Sequence, residues 1–471
     1  MNEECGVIGI HCPENGHDIS RKIFFGLISL QHRGQESAGI SMKSNQHIRG
    51  YKAQGLVYNV FNNQILSGMI GRIGVGHVRY STTSLSSIEN AQPFNFQMPK
   101  GEFSLAYNGT LTNFIKLQKK YSSDYDFKTS TDTEVIVYLL SKYIQETGYD
   151  YFEAIKKLMN ELQGSFAITI INDKGELFGL RDPLGFKPLC IGRIEDINTT
   201  VIASESVALD IIKADLIREI KPGEIIMVND EGIYSKIINI HDKKAFCMFE
   251  YVYFARPDSI IDKITVYDVR EDLGAHLARA HPVDADFVVP IPDSGRTAAA
   301  GYSAESGIPL CEGLMKNRYV HRTFIMPGQE KREISVRMKL NTVKSKIKGK
   351  DVILVDDSIV RSTTARNIIA ILKRSGVNKI HFRVSCPPIV NSCYMGIDFP
   401  SSRQLIAATH NLDEIRRKIG ANTLEYQSLN GLIDSIGLGK NELCLACLTG
   451  KYPIQIADKK ALENQLNINR T

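Results

Sequence analysis

Three stretches in the second half of the chain, DFVVPIP (286–292), KDVILVDDS (350–358) and KIHFRVSC (379–386), are apolar at nearly every position. A strand without alternation must be covered on both faces, which happens in a parallel sheet flanked by helices. The first two are followed directly by RTAAAGYSAESG and TTARNIIAILKRSG, both helical in pattern. This order predicts a doubly wound α/β domain whose ligand sits beyond the carboxyl ends of the strands.

The first half reads differently. Short strands GVIGIH, RIGVGHVRY, EFSLAYNG, GSFAITIIND, ELFGLRD and EIIMVND are interrupted by amphipathic helices around 133–145 and 152–162. Grouped strands and grouped helices predict a layered sheet sandwich covered by helices. With 471 residues the chain exceeds one ordinary core, and the pattern changes near residue 240. Two domains are therefore expected, 5–240 and 241–471, behind a leader of residues 1–4.

Hydrophobic residues at 43% and charged residues at 23% make an ordinary globular balance. A net charge of +5, with no basic stripe interleaved with aromatics, gives no reason to expect nucleic acid as a partner. No apolar run approaches the roughly 18 residues of a membrane helix, and no secretory signal opens the chain, so the sequence reads as soluble and cytoplasmic, with no membrane partner. Nine cysteines in a reducing compartment point to catalysis or metal binding rather than a disulfide framework.

The stretch VILVDDSIVRSTTA (352–365) runs from a buried strand through two acids into hydroxyl residues that open a helix. Free N–H groups and a positive dipole end suit a phosphate there. Ser358, Ser362, Thr363 and Thr364 add hydroxyl donors; Asp356 and Asp357 suit a sugar diol or a cation. A strand ending in an Asx turn and a capped helix is the plainer reading. The stretch resembles the phosphoribosyl diphosphate (PRPP) signature of the type I phosphoribosyltransferases, and VPIPDSGRTAA (289–299) resembles their pyrophosphate loop. The resemblance implies PRPP bound by Asp293, Ser294, Gly295, Asp356, Asp357, Ser358, Arg361, Ser362, Thr363 and Thr364. It also implies one Mg2+ per subunit on Ser294, Asp356 and Asp357. The basic segment 317–341 resembles the family's mobile loop, with Arg318, Arg322, Lys331, Arg332, Arg337 and Lys339 as candidate clamps. Two departures are Arg296, where a smaller residue is expected, and Ile334–Ser335 inside that segment.

The chain opens MNEECGVIGI. Cys5 is either a small buried hydrophobe at a strand start or, with residues 1–4 removed, a thiol sharing its residue with an α-amine that serves as base. That amine would titrate near pH 7.7–8.0, against about 8.5 for a thiol. Further motifs carry Arg79 (GHVRYST), Asn108–Gly109 (YNGTLTN) and Asp132 (STDTE). Arg79 suits a substrate carboxylate, Asp132 a substrate amine, and Asn108 with the Gly109 N–H an oxyanion hole. Their plain readings are a surface ion pair, a helix cap and a hairpin turn respectively. With QHRGQESAGI (31–40) and RDPLGFKPL (181–189), the set resembles the N-terminal-nucleophile glutamine amidotransferases.

Joined to a PRPP domain, the resemblance narrows to the amidophosphoribosyltransferase family and covers nearly the whole chain. The implied fold is an N-terminal-nucleophile αββα sandwich followed by a type I phosphoribosyltransferase domain. The implied reaction converts glutamine, PRPP and water to 5-phosphoribosylamine, glutamate and pyrophosphate, the first committed step of purine synthesis, with ammonia passed between domains. Purine-nucleotide feedback and a homotetramer or dimer are implied as well.

CLAC (444–447), Cys247 and Cys393 make four cysteines whose spacing leaves zinc open. The resemblance implies that they hold one [4Fe–4S] cluster per subunit, as in the iron–sulfur branch of the family. Cys12, Cys190, Cys311 and Cys386 match no motif and are read as packing. Another glutamine-dependent amidotransferase would need a sugar-isomerase pair or an SGGxDS-type loop, and neither is present. A PRPP-binding regulator would carry a basic DNA-binding module in front, where this chain carries the glutaminase motifs.

Overall fold

The computed structural model describes residues 5–45, 47–80, 88–129, 131–238, 243–317, 340–397, 399, 401–457, 459 and 462. The expected boundary near 240, the leader and the candidate clamps of the basic segment lie outside these residues.

Two antiparallel sheets form the first half. One has seven strands in the order Asp215–Glu219, Cys190–Ile194, Thr199–Ala203, Gly6–His11, Ile73–Arg79, Ser37–Lys43 and Ile48–Gln54. The other has six: Gly232–Ile237, Glu224–Asn229, Leu177–Arg181, Gly164–Asn172, Glu102–Leu111 and Phe94–Gln97. Side chains alternate between two cores, as the period of a strand requires. Ile8 and Ile10 pack outward against helix Ile19–Ser29, while Val7 points to the core between the sheets. Phe166, Ile168 and Ile170 pack outward under helices Asp132–Glu146 and Tyr151–Glu161, while Ala167 and Ile171 point inward. The result is helix, sheet, sheet, helix. Being covered on both sides, these strands read as apolar runs rather than clean alternations.

The second half is built on four parallel strands in the order Phe287–Pro290, Asp351–Asp356, Lys379–Val384 and Thr423–Tyr426. Val288, Ile353 and Val355 pack with helices Val266–Ala280 and Arg296–Ser306; Val289, Leu354 and Ile380 pack on the other face with helices Ser362–Arg374 and Leu412–Ile419. This is the doubly wound arrangement expected. Beside it, the two-residue strand Phe246–Cys247 pairs in parallel with Leu443–Cys444 in a separate apolar cluster. Among the described residues no helix is long and apolar enough to cross a membrane.

Candidate functional site

Cys5 stands immediately before strand Gly6–His11, half-buried, with its Sγ 3.5 Å from the Tyr80 carbonyl oxygen. That carbonyl follows Arg79, the last residue of the neighbouring strand. Arg79 is buried, and its guanidinium lies 3.6 Å from the Glu36 carboxylate. It is thus a buried, ion-paired residue at the end of the strand beside Cys5's, not one on the open surface.

Asn108 and Gly109 lie inside the ten-residue strand Glu102–Leu111, opposite Ala167 and Phe166. The hairpin-turn reading is therefore wrong. Phe166 directs its N–H and carbonyl to Asp182 on the far side of the sheet. In an antiparallel ladder its partner Gly109 must then point the opposite way, off the open edge of its own strand. The N–H groups of Tyr107 and Leu111 share that edge and donate to Gln92 Oε1 (2.7 Å) and Asp132 Oδ2 (3.0 Å). The Gly109 N–H stands between them. Asn108, 1% exposed, has an Nδ2 without a hydrogen-bond partner among the described residues. Among the described residues, Asn108 Nδ2 has no acceptor, and the Gly109 N–H points off the same strand. A side chain at 109 is sterically excluded, since its Cβ would lie 2.1 Å from the Ser165 carbonyl oxygen.

Asp132 opens helix Asp132–Glu146, and its Oδ2 also accepts from the Tyr107 hydroxyl at 2.8 Å. Burial raises its carboxyl above the ordinary range, opposed by the bonds from Leu111 N–H and Tyr107. Burial, then the charge and hydrogen bond of Asp132 and the charge of Cys5, push the Tyr107 phenol well up. His77 ties the two sheets together there, its Nε2 3.0 Å from the Tyr107 carbonyl oxygen.

In the second half, the carboxyl ends of two adjacent strands bring Asp293–Gly295 and Asp356–Ser358 together, with Ile291 N–H donating to the Val355 carbonyl at 2.9 Å. Asp356, Asp357 and Ser358 are buried. Burial and the adjoining Asp357 charge push the Asp356 carboxyl well above the ordinary range. A buried acid pair of this kind suits a cation. Helix Ser362–Arg374 starts at Arg361 with no side-chain cap, so the hydroxyls of Ser362, Thr363 and Thr364 surround a helix start with no side-chain acceptor for its N–H groups. Arg361 leans away and donates to Gln404 Oε1 at 2.6 Å. Asp293 is exposed and pairs with Lys316 at 2.7 Å, and the unexpected Arg296 bridges Asp293 (3.6 Å) and Glu312 (3.0 Å). One detail differs from expectation: the Gly295 N–H donates to the Ile291 carbonyl at 3.0 Å and is not available to a ligand.

The four cysteines converge from three segments. Cys247 is the register partner of Cys444, and burial and then the charges of Cys393, Cys444, Cys386 and Cys247 push the Cys447 thiol well up. Among the described residues no three His, Cys, Asp or Glu side chains close on a point that would hold a single metal ion.

A profile of the glutamine amidotransferase domain matches residues 77–210. An amidophosphoribosyltransferase of Archaeoglobus fulgidus is 49% identical over 455 residues, 96% of this chain and 98% of that protein. One from Bacillus subtilis is 43% identical over 97% of this chain and 95% of its own length. A solved structure of the allosteric regulatory enzyme of purine biosynthesis superposes with a TM-score of 0.90 at 42% identity, covering 98% of this chain and 99% of that one. The chain belongs to the amidophosphoribosyltransferase family. Like other amidophosphoribosyltransferases it is a glutamine-dependent transferase of purine biosynthesis, with a glutamine amidotransferase domain joined to a phosphoribosyltransferase domain.

For an amidophosphoribosyltransferase, the residues that sequence reasoning passed over are the supports. Glu36 holds Arg79, Gln92 and His77 hold Tyr107, and Lys316 holds Asp293. Arg33, in the quoted QHRGQESAGI, is fully buried and joins Glu205 of its own half to Glu250 of the other. Only the arginine's place in that motif could have drawn notice; its partners are 172 and 217 residues away.

Proposed function

We propose that the reaction runs on two centres, with Cys5, Asn108 and Gly109 releasing ammonia from glutamine and the 293–295 and 356–364 segments holding PRPP. The observation that carries this reading is Asn108 Nδ2, without a hydrogen-bond partner among the described residues, beside a Gly109 N–H that points off the same strand, a strand tied through His77 to the one that pairs with Gly6–His11. Donors left without acceptors in the ground state are what an oxyanion hole requires. The Cys5 thiol attacks the side-chain amide carbonyl of glutamine, and the developing oxyanion is held by those two donors. The nitrogen leaves as ammonia, and water hydrolyses the thioester to glutamate. Arg79 takes the substrate carboxylate and Asp132 its amine. If residues 1–4 are removed, the Cys5 α-amine accepts the thiol proton.

Ammonia passed to the second half displaces pyrophosphate from C1 of the ribose. Asp356 and Asp357 face the ribosyl group, and the start of helix Ser362–Arg374 with Ser358, Ser362, Thr363 and Thr364 takes the phosphate. The buried acid pair supports Asp356 and Asp357, with Ser294, as the residues that would hold Mg2+, which would supply charge neutralisation for the departing pyrophosphate. The gathering of Cys247, Cys393, Cys444 and Cys447 supports the iron–sulfur type of the family, with a structural [4Fe–4S] cluster. Brown protein containing iron is expected; colourless protein with one zinc per chain contradicts the cluster. ADP and GMP on the solved B. subtilis amidotransferase support purine nucleotides as feedback inhibitors here.

The test is Cys5→Ala assayed with glutamine or with ammonia as sole nitrogen source. Glutamine use is lost and ammonia use retained. Equal loss of both contradicts the assignment.

A further inference from the structure

Lys187 is 1% exposed, buried inside RDPLGFKPL, a stretch to which the reaction above gives no role. Its ammonium approaches Gly396 so closely that a Cβ there would lie 2.8 Å from Nζ. The same Cβ would lie 3.4 Å from Thr110 Oγ1, so Lys187, Gly396 and Thr110 meet at one point. Thr110 directly follows Gly109 and donates its hydroxyl to the Gly109 carbonyl at 2.9 Å. Gly396 has φ +101, a conformation in which only glycine is unstrained.

A second contact ties the same segments. The Met395 carbonyl accepts from the buried Ser165 hydroxyl at 2.8 Å, and Ser165 is the register partner of Thr110. On its other side the Met395 N–H donates to Cys393 Sγ at 3.2 Å. The turn bearing Cys393 therefore meets this part of the sheet at two places, at Lys187 and Thr110 through the close approach of Gly396, and at Ser165, the register partner of Thr110, through a hydrogen bond to Met395. Asp182, which takes the backbone N–H groups of Phe166, Leu184 and Phe186, fixes the loop from which Lys187 projects.

We infer that Lys187 is a positioning residue that clamps the Cys393–Gly396 turn onto the Thr110 end of the oxyanion strand, so that the cysteine site sets the placement of Asn108 and the Gly109 N–H. This rests on the roles given above to Asn108, Gly109 and Cys5. It gives the four cysteines a consequence in glutamine chemistry without any electron transfer: an altered cysteine site loosens the turn, and the turn releases the strand.

The experiment uses the full chain with Lys187→Met. Because misplacement by about 1 Å can cost on the order of 10²-fold, glutamine-dependent kcat should fall about tenfold or more. Glutamine KM and ammonia-dependent turnover should stay within about twofold. Amide exchange of the 105–112 segment, measured by mass spectrometry, should rise in parallel, a change that simple loss of global stability would not confine to that strand. Unchanged glutamine turnover and exchange, or an equal fall with both nitrogen sources, overturns the inference. Should Lys187→Met not fold, Ser165→Ala, which removes one hydrogen bond and no charge, decides by the same readouts. A wild-type chain that cannot use glutamine would instead defeat the functional reading beneath it.

Discussion

Leaving the Asn108 Nδ2 buried without a partner among the described residues costs the folded state about 1–3 kcal/mol in desolvation. That cost has a use only if a negative oxygen visits. Asn108→Leu should therefore hold or raise Tm in a thermal melt while lowering glutamine-dependent kcat by about 10²–10³, with ammonia-dependent turnover intact. A large fall in Tm would show that the amide has a structural partner. His77 carries a pH signature. Burial holds its imidazole down at about 3, so the unfolded chain, near 6.5, binds the extra proton first. Stability contributed by the neutral ring is complete above pH 6.5 and is lost as pH falls toward 3, at up to about 1.4 kcal/mol per pH unit. Between pH 6.5 and 5 the wild type should lose Tm faster than His77→Gln, and parallel curves would contradict this. The residues proposed for the chemistry drew notice at this scale because thiol, amide, acid and hydroxyl types recur in recognisable stretches. Their supports did not: Glu36, Gln92 and His77 act through contacts that no local spacing encodes.

Among the elements, strand Asp351–Asp356 and helix Ser362–Arg374 fall within a residue or two of the apolar run and the helical pattern that announced them. Asn108–Gly109 illustrates the opposite case. Its dipeptide has turn chemistry, yet register with Ala167 and Phe166 holds it extended, and long-range pairing overrides local preference. Strand Thr423–Tyr426 escaped notice because its four residues, TLEY, sit at the sheet edge with Thr423 and Glu425 only half-buried. The acid pair belongs to this scale as well. Asp357→Asn should abolish synthesis from glutamine and ammonia alike, since both nitrogens end at the same ribosyl carbon. Turnover with ammonia in that variant would show that the strand end has been misassigned.

Across the whole molecule, the two halves are joined by buried charge. Arg33 pairs with Glu205 and, at 2.6 Å, with Glu250, while Glu205 also accepts from the Arg256 N–H (3.0 Å) and the Ser259 hydroxyl (2.5 Å). Burial opposes the charged form of Glu205, but Arg33 and His32 outweigh it and hold the carboxyl well below the ordinary range. Removing the arginine takes the ion pair from Glu250 and the largest counter-charge from Glu205, so Arg33→Met should lose about 3–5 kcal/mol of stability, read by denaturant unfolding. The Glu205 contribution is complete above the ordinary carboxylate pKa and is lost progressively as pH falls from there toward its depressed folded value, so the junction should loosen in strong acid.

The central claim is that one chain releases ammonia in its first half and consumes it in its second. Isotope tracing tests that transfer directly. With glutamine labelled by 15N in its amide and excess unlabelled ammonium in solution, wild-type product is expected to carry mostly 15N, and Cys5→Ala product only the unlabelled nitrogen. Wild-type product whose nitrogen matches the bulk ammonium would mean that the two centres do not hand it on, and would contradict the account.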